Sequence, residues 1–463
     1  PLTEETGDGM VGGSEISAQS IAARLERLPV SAWHVKMRVI LGTATFFDAF
    51  DALAIAYALP VLIPAFNIAP SAIGPLISIG YAGQALGALF FGWLAERIGR
   101  VRTAQITIAM FGLMSLVCAT ALDYDQLFWF RFVQGLGLGG EVPIAAAYIS
   151  EIARADRRGP FFLFYELLFP VGLVAVALAG AYLVPRYGWQ WLFVIGGLPA
   201  LVTLAMQFYC PESPRWLAAR GRLAEADAVL ARIENEVSRG GTRPLPPPQI
   251  RGAIVESGGT RWTELFEGRY RSRTIVVWAL WFCTYLIGYG LTTWLPTFYR
   301  SEFKASLQQS LNLSLLTAVA GLFGSLLCAL LIDRLGRRAW FTGAFVLGGA
   351  LLLAVWAIGT ADLARVVILT SLGFMGIASI SLSLYLYTPE IYPTRMRALG
   401  AGWATFWLRA AAVIGPIMVG WLLPRFGVDV VFLAFGLFGA VGAVIAYVGV
   451  VESRLKVLED VSP

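Results

Sequence analysis

The chain has 463 residues, 57% of them hydrophobic and only 14% charged, with a formal charge of +5. An apolar share so far above the roughly 45–50% of soluble domains excludes a soluble globular chain and points to an integral membrane protein. The four cysteines, Cys118, Cys210, Cys283 and Cys328, lie far apart without CxxC spacing; this speaks against a metal site or disulfide framework and fits small core residues.

Residues 1–34 read as a polar cytoplasmic tail with no signal-peptide pattern, carrying a short surface helix near Ile21 to Leu28. Apolar runs then follow near 38–64, 71–95, 103–121, 125–150, 160–184 and 189–210. Each has about the 20 residues that a helix needs to cross about 30 Å of hydrocarbon. Residues 211–272 are polar and include RPLPPPQIRG, which cannot be one continuous helix. Within them, Gly221 to Val237 has helical spacing and many charges, and is expected to lie on the membrane surface. Six more runs lie near 274–300, 308–332, 339–359, 363–389, 398–423 and 428–450. The expected fold is all-α, with twelve transmembrane helices in two pseudo-symmetric six-helix bundles (35–210 and 273–451), a cytoplasmic linker (211–272) and a C-terminal tail (452–463).

Basic residues sort by loop. One side holds Lys36, Arg38, ERIGRVR (96–102), ARADRRG (153–159), the linker, DRLGRR (333–338), Arg395, Arg397, Arg454 and Lys456; the other holds few, such as Arg186, Arg300, Lys304, Arg365 and Arg425. The positive-inside rule places both termini in the cytoplasm, and the net charge then needs no nucleic-acid partner.

The halves repeat in parallel. YLVPRYGWQWLFVIGG from Tyr182 matches WLLPRFGVDVVFLAFG from Trp421, 239 positions on, and Glu151 aligns with Glu390 at the same offset. GWLAERIGR aligns with ALLIDRLGR through Glu96 and Asp333, 237 positions apart. Such repeats place a substrate site between the halves near the midplane. The acid and arginines around each tight-turn glycine suggest a cytoplasmic latch across the halves. Its members are Gly92, Glu96, Arg97, Gly99, Arg100, Glu151 and Arg158, with Asp333, Arg334, Gly336, Arg337, Glu390 and Arg397 in the second half. The alternative is that these charges only set topology.

A charge at bilayer depth costs about 2.5–3.5 kcal/mol on insertion scales, so it faces a partner or a wet cavity. The spans carry Asp48, Asp51, Arg131, Glu141, Glu166 and Arg409. Asp48 and Asp51 are three apart, share a helix face expected to line the cavity, and should titrate as a pair. Glu141 and Glu166, nearer the cytoplasmic end, are either second proton stops or partners for loop arginines. Arg409 has no acid in its own helix; it is a ready carboxylate clamp, unless an acid from another helix pairs with it. Tyr57, Tyr285, Tyr289, Trp294, Trp403, Phe406 and Trp407 could stack on a flat ring, or could simply pack or face lipid. The single histidine, His34, precedes the first span. The glycines of GLGLGG (Gly135, Gly137, Gly139, Gly140) sit inside an apolar span with no following lysine, so they permit close helix approach rather than phosphate binding.

GWLAERIGRVRT and its echo ALLIDRLGRRAW resemble the paired loop motif of the major facilitator superfamily, with Ala329 where that family usually has Gly. PESPRWL (211–217) resembles the sugar-porter-like branch. RFVQGLGLGGEVPIAAAYISE resembles bacterial metabolite–proton symporters related to synaptic-vesicle-2-like and organic-ion transporters, and FFDAFDALAI is similar to the first helix of nicotinate and aromatic-acid symporters. The resemblance implies that Asp51 is the proton carrier and that Arg131 pairs with it, the alternative being a permanent structural ion pair, although the span bounds leave Arg131 nearer the outside by roughly 9 Å. It also implies that a basic residue at Arg409 goes with anionic substrates.

The expectation is a proton-coupled importer of a small, aromatic carboxylate such as nicotinate or a hydroxybenzoate, working by alternating access. Its partners would be that substrate, protons and the lipid bilayer, with no cofactor, no metal and no nucleic acid. It would act as a monomer in a bacterial inner membrane. The alternatives are a sugar or organic-ion uniporter or exporter of the same fold, and a membrane ligand sensor without net flux. An enzyme is not expected, because no His/Cys cluster, GxSxG or paired His–Ser is present.

Overall fold

The computed structural model describes residues 17–152, 165–238, 242, 244–248, 262–393 and 396–453. Among them, twelve helical segments are long and apolar enough to cross a membrane. A short helix α1 (Ala18–Glu26) precedes α2 (Ala32–Ala65), α3 (Pro70–Ile98), α4 (Arg100–Cys118), α5 (Tyr124–Ile152) and α6 (Leu168–Tyr187). The sixth span, expected as one helix, is broken into α7 (Gln190–Gly196) and α8 (Pro199–Tyr209). The break falls where Pro199 has no N–H to continue the ladder and instead starts a new helix. Helices α9 (Pro214–Ala219) and α10 (Leu223–Val237) form the described linker. The second half comprises α11 (Gly268–Ser301), α12 (Leu307–Leu335), α13 (Arg337–Ile358), α14 (Leu363–Glu390), α15 (Arg397–Phe426) and α16 (Val428–Gly449).

The two halves pack alike. Helix α3 lies on α5 as α12 lies on α14, α4 on α5 as α13 on α14, α2 on α6 as α11 on α15, and α4 on α8 as α13 on α16. The α3–α5 contact explains the glycine run. A Cβ at Gly135 or Gly139 would collide with the backbone carbonyls of Gly80 or Gln84, and one at Gly83 or Gly87 with those of Phe132 or Leu136. Bare backbones meet there, as small-residue interfaces in membranes require.

The halves meet along α3–α15, α6–α12 and α2–α11. On the side away from the termini this seam is tight. Ser78 Oγ donates to the Val413 carbonyl at 2.8 Å, Gln308 Nε2 donates to the Ala181 carbonyl at 2.7 Å, and a Cβ on Gly74 would stand 2.9 Å from the Pro416 oxygen. The far side is therefore closed, and the space between the halves lies from mid-depth toward the termini side.

The tail and linker helices do not lie on lipid with free apolar faces. Ile21, Leu25 and Leu28 are buried with Leu230, Ile233 and Trp216 in one cluster. Around it, Glu234 accepts from Arg24 and Arg27 at 2.7 Å each, Arg24 also pairs with Asp227, Arg215 pairs with Glu26 at 2.5 Å, and Lys36 pairs with Glu236 at 2.5 Å. Burial of the hydrophobic stripes of α1 and α10 against each other and the bundle outweighs lipid as a partner.

Candidate transport site

A cavity opens between the halves. From the first half, α2 contributes Thr45, Asp48 and Leu53, and Glu166 and the start of α6 contribute Phe169, Pro170 and Leu173. The opposite walls come from α11, α12, α14 and α15, through Tyr285, Tyr289, Ser325, Phe374, Tyr385 and Arg409 among others. Most of the lining is apolar, with a few charged and hydroxyl groups placed at its edges, which is the usual make-up of a small-molecule site.

Arg409 is the only lysine or arginine lining this cavity among the described residues. It donates through Nη1 to Gln84 Oε1 on α3, across the seam. No ion pair with a carboxylate holds it among the described residues, and it stands close enough to act electrostatically on Asp48. The neutral amide orients the guanidinium and leaves its charge available.

The two aspartates part company. Asp48 lines the cavity; Asp51 does not, and is wholly buried inside the first half. This corrects the expected shared cavity face. Positions three apart are offset by about 60° around a helix at 3.6 residues per turn, enough for one to face the seam and the other α4. Asp51 Oδ1 accepts from Ser115 Oγ at 3.0 Å, while Oδ2 has no partner among the described residues. Arg131 does reach across the depth gap, but Nη1 donates to the Asp51 backbone carbonyl at 3.1 Å and to Gln134 Oε1 at 2.8 Å, rather than forming an ion pair with the carboxylate. Gly80 makes room for it, since a Cβ there would lie 3.1 Å from Arg131 Nη2.

Glu141 is fully buried just behind the cavity wall, where Thr45 Oγ1 donates to Oε1 at 3.2 Å and also bonds to the Tyr165 hydroxyl; Glu141 Oε2 has no partner among the described residues. Glu166 lies in the wall itself. Neither carboxylate meets a loop arginine among the described residues.

The aromatics divide as well. Tyr285 and Tyr289 line the cavity as a stacked pair 5.8 Å apart, extended by Trp281 at 5.4 Å from Tyr285. Tyr57 packs against Gly180 inside the first half, and Trp294 donates to the Pro416 carbonyl at 3.2 Å on the closed side. Trp403 and Trp407 pack at a tilt against Trp278, with ring centroids 5.7 and 5.6 Å apart, outside the cavity lining. Phe406 is 47% exposed on the outer surface of the helix bundle. These five are corrected as cavity residues: α15 turns its Arg409 face inward and its Phe406 face outward.

The expected latch across the halves is not formed among the described residues; its charges pair inside each half instead. Arg100 pairs with Glu96 at 2.7 Å and Glu151 at 3.2 Å; Arg337 pairs with Asp333 at 2.7 Å and Glu390 at 2.8 Å. None of these bridges the two halves, because on the open termini side each arginine finds its acids locally. Gly99 and Gly336 hold φ of +116° and +91°, where a Cβ would strike Glu212 or Glu452. Gly92 faces open space, Arg97 covers Trp93 with its guanidinium 4.1 Å from the ring, Arg334 is exposed, and Arg397 donates to the Tyr392 carbonyl at 3.1 Å. Arg158 lies outside the described residues.

Residues 46–463 match the family model described as sugar (and other) transporter. The chain belongs to that family. This transporter is 34% identical over 445 residues to the niacin transporter NiaP of Acinetobacter baylyi, spanning 95% of this chain and 99% of that protein. It is 28% identical over 406 residues to the 4-hydroxybenzoate transporter PcaK of the same species, spanning 87% of each. Its fold matches the partially occluded inward-open xylose transporter XylE from E. coli with a TM-score of 0.72 over 92% of this chain and 100% of that one, at 19% identity. It is a multi-pass membrane transporter of the major facilitator superfamily and not an enzyme.

Several residues of the transporter carry no signal that sequence reasoning used. Gln84, Ser115, Gln134 and Thr45 are neutral polar groups in apolar helices. Glu212 and Glu452 are a different matter. Glu212 accepts from the Arg100 backbone N–H at 3.0 Å, and Glu452 from that of Arg337 at 3.0 Å, so each carboxylate caps the N-terminus of the helix after the turn. They lie 240 positions apart, close to the internal repeat, and this spacing was the available signal.

Proposed function

We propose that this transporter imports a small aromatic carboxylate with a proton. One observation carries the reading: Arg409, held by a neutral amide from the other half, faces the same cavity as Asp48 and lies within its electrostatic reach. In the empty site the Asp48 carboxylate is the counter-charge of Arg409. A substrate carboxylate that takes Arg409 in a two-pronged contact displaces that role and adds one negative charge. Protonation of Asp48 restores neutrality. A neutral loaded site crosses the low-dielectric closed state at least cost, so one proton accompanies one monovalent acid. Asp48 is the proton carrier in this scheme, with Asp51 coupled to it from behind and Arg131 fixing the Asp51 backbone.

The stacked Tyr285 and Tyr289 offer a flat apolar wall for the ring. A sugar fits less well. Thr292, Ser325 and Ser381 donate to carbonyls of their own helices, at 2.7, 3.1 and 2.7 Å, and among the described lining residues this leaves Thr284 as the one serine or threonine hydroxyl without a partner, few donors for a polyol. The named relatives, transporters of niacin and 4-hydroxybenzoate, support the same substrate class. The termini and linker lie in the cytoplasm of a bacterial inner membrane by the distribution of basic loops, which makes the observed opening cytoplasmic. The protein works as a monomer, with the rocking seam inside a single chain.

The deciding experiment is nicotinate and 4-hydroxybenzoate uptake into vesicles, with and without an imposed pH gradient. Accumulation that follows the gradient is expected; uptake indifferent to it would reject symport. Arg409→Ala with unchanged affinity would reject the clamp.

A further inference from the structure

We infer that Glu166 is a second recognition point in the transport cavity, one that reads a hydrogen-bonding ring atom or substituent on the side of the substrate ring away from its carboxylate. This rests on the aromatic-acid reading and deepens it.

Glu166 is 6% exposed, lines the cavity, and leaves Oε1 without a hydrogen-bond partner among the described residues. A buried polar atom with no partner is expensive, and in a binding cavity a ligand atom is the natural partner. Its neighbours on the elements packed around it are Asp48 on α2, Glu141 on α5, Tyr165, Tyr285 on α11 and Tyr385 on α14, each close enough for electrostatic interaction. No arginine is among these, so no cation competes for the carboxyl group.

The position relative to Arg409 sets the ligand geometry. Arg409 on α15 and Glu166 ahead of α6 line the cavity from opposite halves of the molecule, with Tyr285 and Tyr289 of α11 in the same lining. These tyrosines are four residues apart on α11, which is about 6 Å along the helix at 1.5 Å per residue. Their stacked rings, with centroids 5.8 Å apart, form a flat wall in that lining. A six-membered aromatic ring laid on that wall, with its carboxylate on Arg409, points its opposite edge at Glu166. A protonated Glu166 donates to a pyridine nitrogen; an ionised one accepts from a phenolic hydroxyl. The cavity thus selects bifunctional aromatic acids over plain benzoate.

The test compares nicotinate with benzoate, which differ only by the ring nitrogen, using binding titrations on the purified full chain in nanodiscs. The wild type is expected to favour nicotinate by about tenfold, the usual scale for one buried hydrogen bond. Glu166→Ala should bring the ratio of the two affinities to near one, and Glu166→Gln, which retains a donor, should keep most of it. A preference that survives in Glu166→Ala, or a Glu166→Gln variant that loses it along with Glu166→Ala, overturns the inference while leaving aromatic-acid transport standing. Should the wild type bind neither acid, the underlying reading fails, and this inference fails with it.

Discussion

Arg409 on α15 is held by Gln84 on α3, a contact that crosses from one half of the molecule to the other at mid-depth. The amide satisfies one donor of the guanidinium without neutralising it. Arg409→Ala should weaken binding of an aromatic carboxylate by about 10- to 100-fold, the range for hydrogen bonds to charged groups of about 1.5–3 kcal/mol. Gln84→Ala should cost less, about three- to tenfold, because the charge remains and only its aim is lost. Titration calorimetry with nicotinate orders the two variants; equal losses would mean that Gln84 contributes more than orientation.

Asp48→Asn should fix the site in a permanently neutral form. Gradient-driven accumulation should fall to the level reached without a gradient, while exchange of labelled for unlabelled substrate persists. Exchange abolished together with accumulation would assign Asp48 to substrate binding instead.

Closure of the far side depends on Gly74 approaching the Pro416 carbonyl. Gly74→Trp cannot fit there and should hold that side open. Spin labels at Tyr182 and Gln309 should move apart by double electron–electron resonance, and net uptake should stop. An unchanged distance distribution would contradict the assignment of this contact as the closed gate.

Two glycines of one motif should respond oppositely to alanine. Gly99 holds φ of +116°, and its Cβ would strike Glu212; Gly99→Ala should cost about 1–3 kcal/mol. Gly92 is helical with open space around it, so Gly92→Ala should be neutral or stabilising by about 0.5–1 kcal/mol. Melting temperatures of the two variants in detergent report the difference.

The tail clamp should weaken in acid. Burial alone would raise the Glu234 pKa, but hydrogen bonds from Arg24 and Arg27, and their charges, bring it below the ordinary value of 4.5. A carboxylate whose folded pKa is depressed stabilises docking above the unfolded pKa, and that contribution is lost as pH falls through the lowered value. Hydrogen exchange across α1 should therefore accelerate below about pH 4.5, and Glu234→Gln should show fast exchange already at neutral pH. Exchange in the variant as slow as in the wild type would leave the apolar contacts of Ile21 and Leu25 as the whole of the clamp.

The spans, their number and the duplication were legible because hydrocarbon thickness sets helix length and the two halves reuse the same turn. Arg409 was legible because a charge in an apolar helix needs a reason. The facing of neighbouring residues was not. Asp48 against Asp51, and Arg409 against Phe406, are separated by rotations of one helix about its axis, and that rotation is set by packing against partners far away in the chain. Nor could the latch be placed within a half rather than across halves: Glu96 and Asp333 reveal charge, while the partner of each arginine depends on which side of the molecule stands open. Gln84 escaped notice because a neutral amide in an apolar span looks like many others.

Glu212 and Glu452 each sit over the start of the helix that follows a glycine turn, one in each half, at matching places. Both carboxylates fasten a loop to the unit in which it lies. Each set of six helices is thus braced at its own base, and neither brace leans on the other unit. In the cycle proposed above, motion would thereby be directed away from the bases and into the plane where the units touch, with the molecule working as two stiff levers on one shared fulcrum.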